Sequence, residues 1–410
     1  MTLSEELINR GFIHQFTAEN LKEILDNGPQ VIYHGIDPSA DSAHAGNFVV
    51  WMLLRHLRQA GHRVIFLVGG GTGMIGDPKP DAERTLKAES ETDANVVKLR
   101  EQAAQIIGDN DILFVNNKDW LKEVSLLTFL RDIGKHFTVN ELIKKDAIAK
   151  RLSSDTGISY TEFAYPLLQG YDYFVLNERH NCTVQVGGSD QWGNIVAGVE
   201  LIRRKTQKTA HAITVPLIID KATGKKFGKS EGNAVWLSSK KTSPFMFYQF
   251  WLNQSDMSVE DYLKLFTMLP LTEITTIIEE HKKNPAARVA QKALAYAVTT
   301  IVHGEQAAVA ATSVSQTLFG EKSLDELTPN ETDILLENAP TFAVQEPLSI
   351  TDLLVASGLA SSKREARTFI TEGAVTIDTE KVTNPEVVIE PTTKLQTLRR
   401  GKKQYVVLHT

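Results

Sequence analysis

An imidazole and a glycine share the run His44-Ala45-Gly46-Asn47, and two lysines flank a glycine in Lys226-Phe227-Gly228-Lys229-Ser230. Set at a helix start, the first run would offer backbone N–H groups and the helix dipole to phosphate oxygens. The second would place Lys226 and Lys229 on a small loop able to swing over a triphosphate. Together they imply a site for ATP. No nucleophile–base dyad, acidic pair or metal-ligand cluster stands out in the sequence, which points to chemistry by positioning and charge stabilisation. His44 equally reads as a helix cap, with Gly46 as a packing accommodation.

Four further constellations accompany this pair. In Tyr33-His34-Gly35-Ile36-Asp37-Pro38-Ser39, Gly35 removes a side chain where a strand ends and lets a ligand approach the backbone. Ser39 or Asp41 would cap the following helix, and Ser39 and His44 would donate to phosphate oxygens. The run Gly69-Gly70-Gly71-Thr72-Gly73-Met74-Ile75-Gly76 implies unusual backbone angles or close ligand approach, and is neither a dinucleotide fingerprint nor a P-loop. Asp77, at its end, would meet a substrate ammonium or serve a turn. Tyr165, Gln169 and Asp172 follow at spacings that share one helical face, suited to a polar small molecule or to an ordinary surface stripe. Pro166 beside them should kink that helix or lie near its first turn. Finally, Gly187-Gly188-Ser189-Asp190 places a carboxylate after a tight turn, where it would accept from ribose hydroxyls or act as a helix-start acid.

The elements that must carry these groups alternate. Strands are expected at 30–36, 62–68, 112–115, 182–186 and 211–218, with helices at 47–60, 94–107, 119–133, 159–177 and 190–204. That alternation predicts an α/β fold with a doubly wound, Rossmann-like parallel sheet over residues 1–232, whose ligands lie beyond the carboxyl ends of its strands. Helical periodicity dominates the next stretch, giving a helical domain at 233–320. A Gly-, Pro- and acid-containing linker follows at 321–345, and a small α+β unit at 346–410. Ser349 and Ser361-Ser362 would cap helices there. Lys363, Arg364 and Arg367 form one basic cluster, and Arg399, Arg400, Lys402 and Lys403 another, either an RNA-backbone patch or a solvated face.

Bulk properties narrow the class. The 410 residues are 42% hydrophobic and 23% charged, ordinary for a globular chain of two or three domains. A net charge of −6 means that nucleic acid must be met by local patches. The single cysteine, Cys182, excludes a disulfide framework and a cysteine-rich zinc site, and reads as a buried strand residue. Neither a signal segment nor a membrane-spanning apolar run is visible, so the cytoplasm is the expected compartment.

At Gly35-Ile-Asp-Pro-Ser-Ala-Asp41, Thr72-Gly-Met-Ile-Gly-Asp-Pro78, Phe129-Leu-Arg-Asp-Ile-Gly-Lys-His-Phe137, Gly187-Gly-Ser-Asp-Gln-Trp-Gly-Asn194 and Lys226-Phe-Gly-Lys-Ser230 the chain resembles the bacterial tyrosyl-tRNA synthetases, class I aminoacyl-tRNA synthetases. The resemblance runs through essentially the whole chain, and its tail resembles a small RNA-binding domain shared with a ribosomal protein. It implies tyrosine, ATP accompanied by Mg2+, and tRNA(Tyr) as partners, a homodimer, and no protein-ligated metal. It implies that Tyr33 and Asp172 bind the substrate phenol, that Asp77, Tyr165 and Gln169 bind its ammonium, and that Gln191 lies near its carboxylate. Gly35, Asp37, Gly46, Asn47, Gly188 and Asp190 would follow ATP, and Ser39, His44, Lys226 and Lys229 would contact the departing pyrophosphate. Removing the phenol oxygen would leave Tyr33 and Asp172 unpaired, the known basis on which this family rejects phenylalanine.

Three departures from the family pattern stand out. Asn47 and Ala45 replace a histidine and a larger aliphatic residue, His34 stands where cysteine is common, and Lys79 or Arg84 must serve where a glycine–lysine stretch is usual. A non-catalytic RNA-binding protein on this scaffold and a sister enzyme for tryptophan are the alternatives. The intact lysines and acids weigh against the first. The phenol-reading pair weighs against the second, since indole offers only a donor.

Overall fold

The computed structural model describes the chain except residues 78–86, 109–111, 154–156, 220, 222–223, 225–226, 228, 231–232, 320–321, 379 and 402–403. Six strands form the principal sheet: β1 Gln15–Phe16, β2 Val31–Ile36, β3 Arg63–Val68, β4 Ile112–Asn116, β5 Val184–Gly188 and β6 His211–Val215. Their order is β1-β6-β5-β2-β3-β4. Strands β2 to β6 run parallel, and β1 joins the β6 edge antiparallel. The chain winds from β2 out to β4, then crosses to the other side of β2 for β5 and β6. This is the doubly wound sheet that the alternating pattern predicts.

Register decides where a ligand can enter. β2 pairs with β3 along its full length, from Val31↔Arg63 to Ile36↔Val68. With β5 it pairs only at Ile32↔Val184 and Tyr33↔Gln185. Beyond Tyr33 the two strands part, which opens a crevice at the topological switch point. In β3 every residue from Val64 to Val68 is buried, as expected of a parallel strand covered on both faces. Helix Ala45–Gln59 packs Phe48, Trp51, Met52 and Leu57 into that cover. Helices Tyr160–His180 and Trp192–Thr206 approach closely, and a Cβ at Gly170 would lie 3.5 Å from the backbone nitrogen of Gly198. Only small residues allow that approach.

Several expected bounds move. The helix expected at 119–133 is two short helices, Lys118–Leu121 and Leu126–Asp132, because the Ser125 side chain accepts from the Thr128 N–H and starts the second. Strand β6 stops at Val215. Cys182 is buried as expected but precedes β5. Pro166 lies inside helix Tyr160–His180, beyond its first turn.

The chain packs as two compact units, Met1–Thr242 with Gln254–Leu294, and Ser243–Asn253 with Ala295–Thr410. The helical stretch expected as a separate domain is therefore shared between them. In the first unit, Phe266 of helix Val259–Phe266 stacks on Phe48 at 5.6 Å. In the second, Gln249 of helix Pro244–Leu252 donates to Ser315 at 2.9 Å. The segment expected as a linker at 321–345 carries helix Pro329–Asn338 and strand Thr341–Ala343. A capping box between Thr328 and Glu331 and a proline at the helix start explain that helix, so Glu331 is a capping residue rather than linker composition. The second unit ends in a five-stranded sheet over which Ile350, Leu353, Leu354, Ala366 and Ile370 form a core.

Helix Tyr160–His180 is fixed at its start by a buried ion pair. Arg151 Nη1 and Nη2 reach Glu162 Oε1 and Oε2 at 2.9 and 3.0 Å, and both side chains are almost wholly enclosed. Arg151→Met strands a buried carboxylate and should lower unfolding stability by about 3–5 kcal/mol. Denaturant titration checks this, and an unchanged midpoint would contradict it.

Candidate active site

At the carboxyl rim of the sheet, where β2 and β5 separate, lies a cavity of about 580 Å³. Its wall includes Tyr33, Asp77, Tyr165, Gln169, Asp172 and Gln191. Gly35, Asp37, Ser39, His44, Gly46, Asn47, Gly188 and Asp190 line it as well. The polar face of helix Tyr160–His180 thus turns to the cavity and is not a surface stripe.

Asp172 is buried and has both oxygens engaged: Oδ1 accepts from Trp120 Nε1 at 2.8 Å and Oδ2 from Asn117 Nδ2 at 2.9 Å. Burial nevertheless raises its pKa from 3.8 to about 7, against the pull of those two donors. Tyr33 is also buried, and its hydroxyl accepts from Gln185 Nε2 at 2.8 Å. Desolvation and the Asp172 charge hold this phenol protonated, far above its usual range. The Tyr33 O–H proton is therefore available to donate. Gln185 Oε1 is buried without a hydrogen-bond partner.

A second group gathers around Asp77. Its Oδ2 accepts from Gln191 Nε2 at 3.0 Å and its Oδ1 from Asn194 Nδ2 at 3.2 Å. The Tyr165 O–H donates to Asp37 Oδ2 at 2.9 Å, and Thr72 Oγ1 donates to Asp37 Oδ1 at 2.8 Å. Asp37, expected along ATP, thus grips Tyr165 and the glycine loop. Gln169 Oε1 is buried without a partner. A carboxylate, a phenol oxygen and an orphaned amide oxygen can receive a cationic ammonium.

The unusual backbone angle expected of the glycine run is found at one position. Gly76 alone of its five glycines has a positive φ, +87°. A Cβ at Gly69 would collide with Asp37 Oδ1 and Thr72 Oγ1, and one at Gly70 would lie 2.5 Å from Asn116 Oδ1. Gly69 and Gly70 make room for the site's own polar side chains, whereas Gly71 first meets Leu121 and Gly73 meets Pro38.

His44 caps helix Ala45–Gln59. Its Nδ1 accepts from the Gly46 N–H at 3.0 Å, while its own N–H donates to Asn47 Oδ1 at 3.2 Å. Neither Ser39 nor Asp41 takes that place; Asp41 pairs with Lys98 at 3.1 Å and Lys241 at 2.5 Å. Capping and ligand contact are compatible: an accepting Nδ1 puts the imidazole proton on Nε2, and the Asn47 amide keeps its Nδ2 donor. His34 donates from Nδ1 to the Val186 carbonyl at 3.1 Å where the strands part, and burial lowers its pKa to about 4, so it is neutral.

The segment that follows the lysine motif is anchored beside that helix start. Ala45 N–H donates to the Val235 carbonyl at 2.8 Å, and Leu237 N–H to the Ala43 carbonyl at 2.9 Å. Phe227 is buried against Tyr262 and Phe266, at ring separations of 4.8 and 5.3 Å. Lys229 begins a two-residue strand whose partner is Asn233–Ala234. Lys226, Lys79 and Arg84 lie outside the described residues. Asn117, Trp120, Gln185, Asn194 and Phe227 are the functional neighbours that the sequence reading missed. The Asn116-Asn117 pair at the end of β4, on the binding rim, was the available signal.

In the second unit, Arg364 and Arg367 are exposed on helix Lys363–Thr371, and Lys363 reaches Asp352 at 2.5 Å. Arg399 donates to the Leu318 and Thr317 carbonyls. Arg400 donates to the Leu359 carbonyl at 2.7 Å and lies over Phe369. These two guanidinium groups are held by packing, and Lys402 and Lys403 fall outside the described residues.

Comparison with known proteins agrees with this geometry. The sequence model for "tRNA synthetases class I (W and Y)" matches residues 25–320, and that for the "Tyrosine--tRNA ligase SYY-like C-terminal domain" matches residues 331–408. A Streptococcus pneumoniae tyrosine–tRNA ligase is 47% identical over 420 aligned positions, with both chains covered in full. The fold is similar to that of a C-terminally truncated mitochondrial tyrosyl-tRNA synthetase from Aspergillus nidulans, with a TM-score of 0.70 and 32% identity over 78% of this chain and 94% of that one. The corresponding Coccidioides posadasii structure gives a TM-score of 0.67 and 29% identity over 76% and 91%.

The Asp172 carboxyl makes stability depend on pH. Its folded-state pKa is raised, so the stability it contributes is complete below about pH 3.8 and is lost as pH rises through about 7. Between about pH 5 and pH 8 the parent protein should lose roughly 2–3 kcal/mol more than Asp172→Asn, about two pKa units at ~1.4 kcal/mol each. Equal losses in the two proteins would contradict this.

Proposed function

The chain belongs to the class I aminoacyl-tRNA synthetases as a tyrosine–tRNA ligase, and from that premise we propose that the rim cavity holds tyrosine and ATP side by side. The phenol lies between Tyr33 and Asp172. Tyr33 donates to the phenol oxygen, and the phenol O–H donates to the Asp172 carboxylate. The ammonium takes Asp77, Tyr165 and Gln169, and Gln191 lies near the carboxylate. The observation that carries this reading is the buried Asp172, oriented by Asn117 and Trp120 and still short of favourable charge interaction. A neutral donor at that place relieves the carboxylate without adding a second charge.

Activation then needs no catalytic base. A tyrosine carboxylate oxygen attacks the α-phosphorus, the bond from that phosphorus to the bridging oxygen breaks, and pyrophosphate departs with the electron pair. No proton moves. The developing negative charge is met by the Nε2–H of His44, by Ser39, and by Lys226 and Lys229. The described lining of the cavity contains no lysine or arginine, which leaves the countercharge to the loop. Gly35, Gly46, Asn47, Gly188 and Asp190 follow the adenosine, with Asp190 on the ribose. Mg2+ would accompany the phosphates of ATP.

The acyl group then passes to the 3′ end of tRNA(Tyr). Arg364 and Arg367 are the exposed cations on the second unit best placed to meet an RNA backbone. Homodimerisation is supported by apolar side chains turned outward on neighbouring helices, with Leu126 71%, Leu127 79% and Val139 61% exposed. A second copy of the chain would cover them. Among the described residues no helix is long and apolar enough to cross a membrane, and the cytoplasm is the proposed compartment.

Purified protein should catalyse tyrosine-dependent exchange of pyrophosphate into ATP. Asp172→Asn should lower kcat/KM for tyrosine about a hundredfold, the cost of one charge-assisted hydrogen bond, while phenylalanine loses far less. Absence of exchange in the parent protein, or equal losses for both amino acids, would overturn the assignment.

A further inference from the structure

Lys145 is not among the residues that line the cavity, yet it ends a chain of side chains that does. It stands at the start of helix Asp146–Leu152, with its stem against Gly193: a Cβ built there would meet Lys145 Cγ at 3.6 Å. Its Nζ donates to the Gly193 carbonyl at 2.9 Å and to Asn194 Oδ1 at 3.4 Å. Asn194 Nδ2 then donates to Asp77 Oδ1 at 3.2 Å and to Gln191 Oε1 at 3.3 Å. Gln191 Nε2 closes the ring on Asp77 Oδ2 at 3.0 Å.

Amide side chains have two ends of similar shape and opposite character, so packing alone does not fix which way they face. Here a carboxylate that only accepts and an ammonium that only donates stand at opposite ends of Asn194 and agree on one arrangement, the ammonium holding the end away from Asp77. With Nζ at one end, Asn194 must turn its oxygen toward Lys145 and its NH2 toward Asp77. That leaves Gln191 one consistent arrangement, with its oxygen toward Asn194 and its NH2 toward Asp77. We propose that Lys145 is a positioning residue for amino-acid activation, fixing both amides and thereby the Asp77 carboxylate that receives the substrate ammonium. Burial lowers the pKa of Lys145 to about 8 while the Asp77 charge opposes that shift, which ties the two groups electrostatically. This inference rests on the tyrosine-activation reading above.

Exchange kinetics on the full chain test it. Lys145→Met should raise KM for tyrosine about tenfold with KM for ATP changed less than about twofold, the scale of one lost charge-assisted hydrogen bond felt through a neighbour. Lys145→Arg, which also only donates, should restore most of the loss. Asn194→Ala should match Lys145→Met, and the double variant should add less than about twofold to either, because both break one relay. Should Lys145→Met fail to fold, Lys145→Gln supplies the same comparison, since a glutamine can present either end to Asn194. Independent, multiplying effects of the two substitutions would overturn the proposal, as would parent-like KM in Lys145→Gln. No tyrosine-dependent exchange in the parent protein would instead defeat the functional reading on which it rests.

Discussion

Asn117 is wholly buried, and its amide joins three parts of the site. Its Oδ1 takes the N–H of Gly71 at 2.8 Å, and its Nδ2 donates to Thr72 Oγ1 and Asp172 Oδ2, each at 2.9 Å. Thr72 passes the connection to Asp37, and Asp37 to Tyr165. One continuous run of hydrogen bonds therefore links the carboxylate assigned to the phenol with the hydroxyl assigned to the ammonium. Such a network is costly if any member lacks a partner. Gln169 and Gln185 break that rule, each with a buried, unpartnered amide oxygen. Both line the cavity, where a substrate donor would complete them.

Charge is distributed to suit two unlike ligands. Asp37, Asp77, Asp172 and Asp190 line the cavity, while His34 is held neutral and His44 accepts at Nδ1. A wall of this kind favours an ammonium and repels phosphate. Phe227, within the lysine motif, is buried against Tyr262, and the 235–237 backbone that follows the motif is hydrogen-bonded next to the His44 helix start. Cations delivered from a loop can act on charge that develops during reaction and withdraw afterwards. Activation by positioning, without an acid–base pair, follows from that division.

The parallel sheet was legible because its strands are short apolar runs separated by helical periodicity, as in Val64–Val68 followed by Glu89–Ile107. Tyr165, Gln169 and Asp172 were legible because helical spacing alone puts them on one face. Their roles came from the family resemblance, since spacing does not distinguish a binding face from a wet one. Asn117, Trp120 and Gln185 were not legible: the first two lie 55 and 52 residues from Asp172 in sequence, Gln185 lies on the strand beside Tyr33, and only the fold brings the first two to Asp172 and the third to Tyr33. The glycine run was legible in part: Gly76 takes the unusual angle expected, while Gly69 and Gly70 make space for Asp37, Thr72 and Asn116, contacts that local sequence does not encode. The helix at Pro329–Asn338 was hidden by acidic composition, of which Glu331 serves in the capping box that starts it.

The proposed recognition of tyrosine turns on a buried, poorly solvated Asp172 meeting a phenol. Tyrosine binding must then draw that carboxyl into its ionised form and release its proton. Calorimetric titration of tyrosine near neutral pH, in buffers of different ionisation enthalpy, measures this directly. The parent protein should release about half a proton per tyrosine bound, and Asp172→Asn none of it. Tyrosine binding with the same proton balance in both proteins would contradict it.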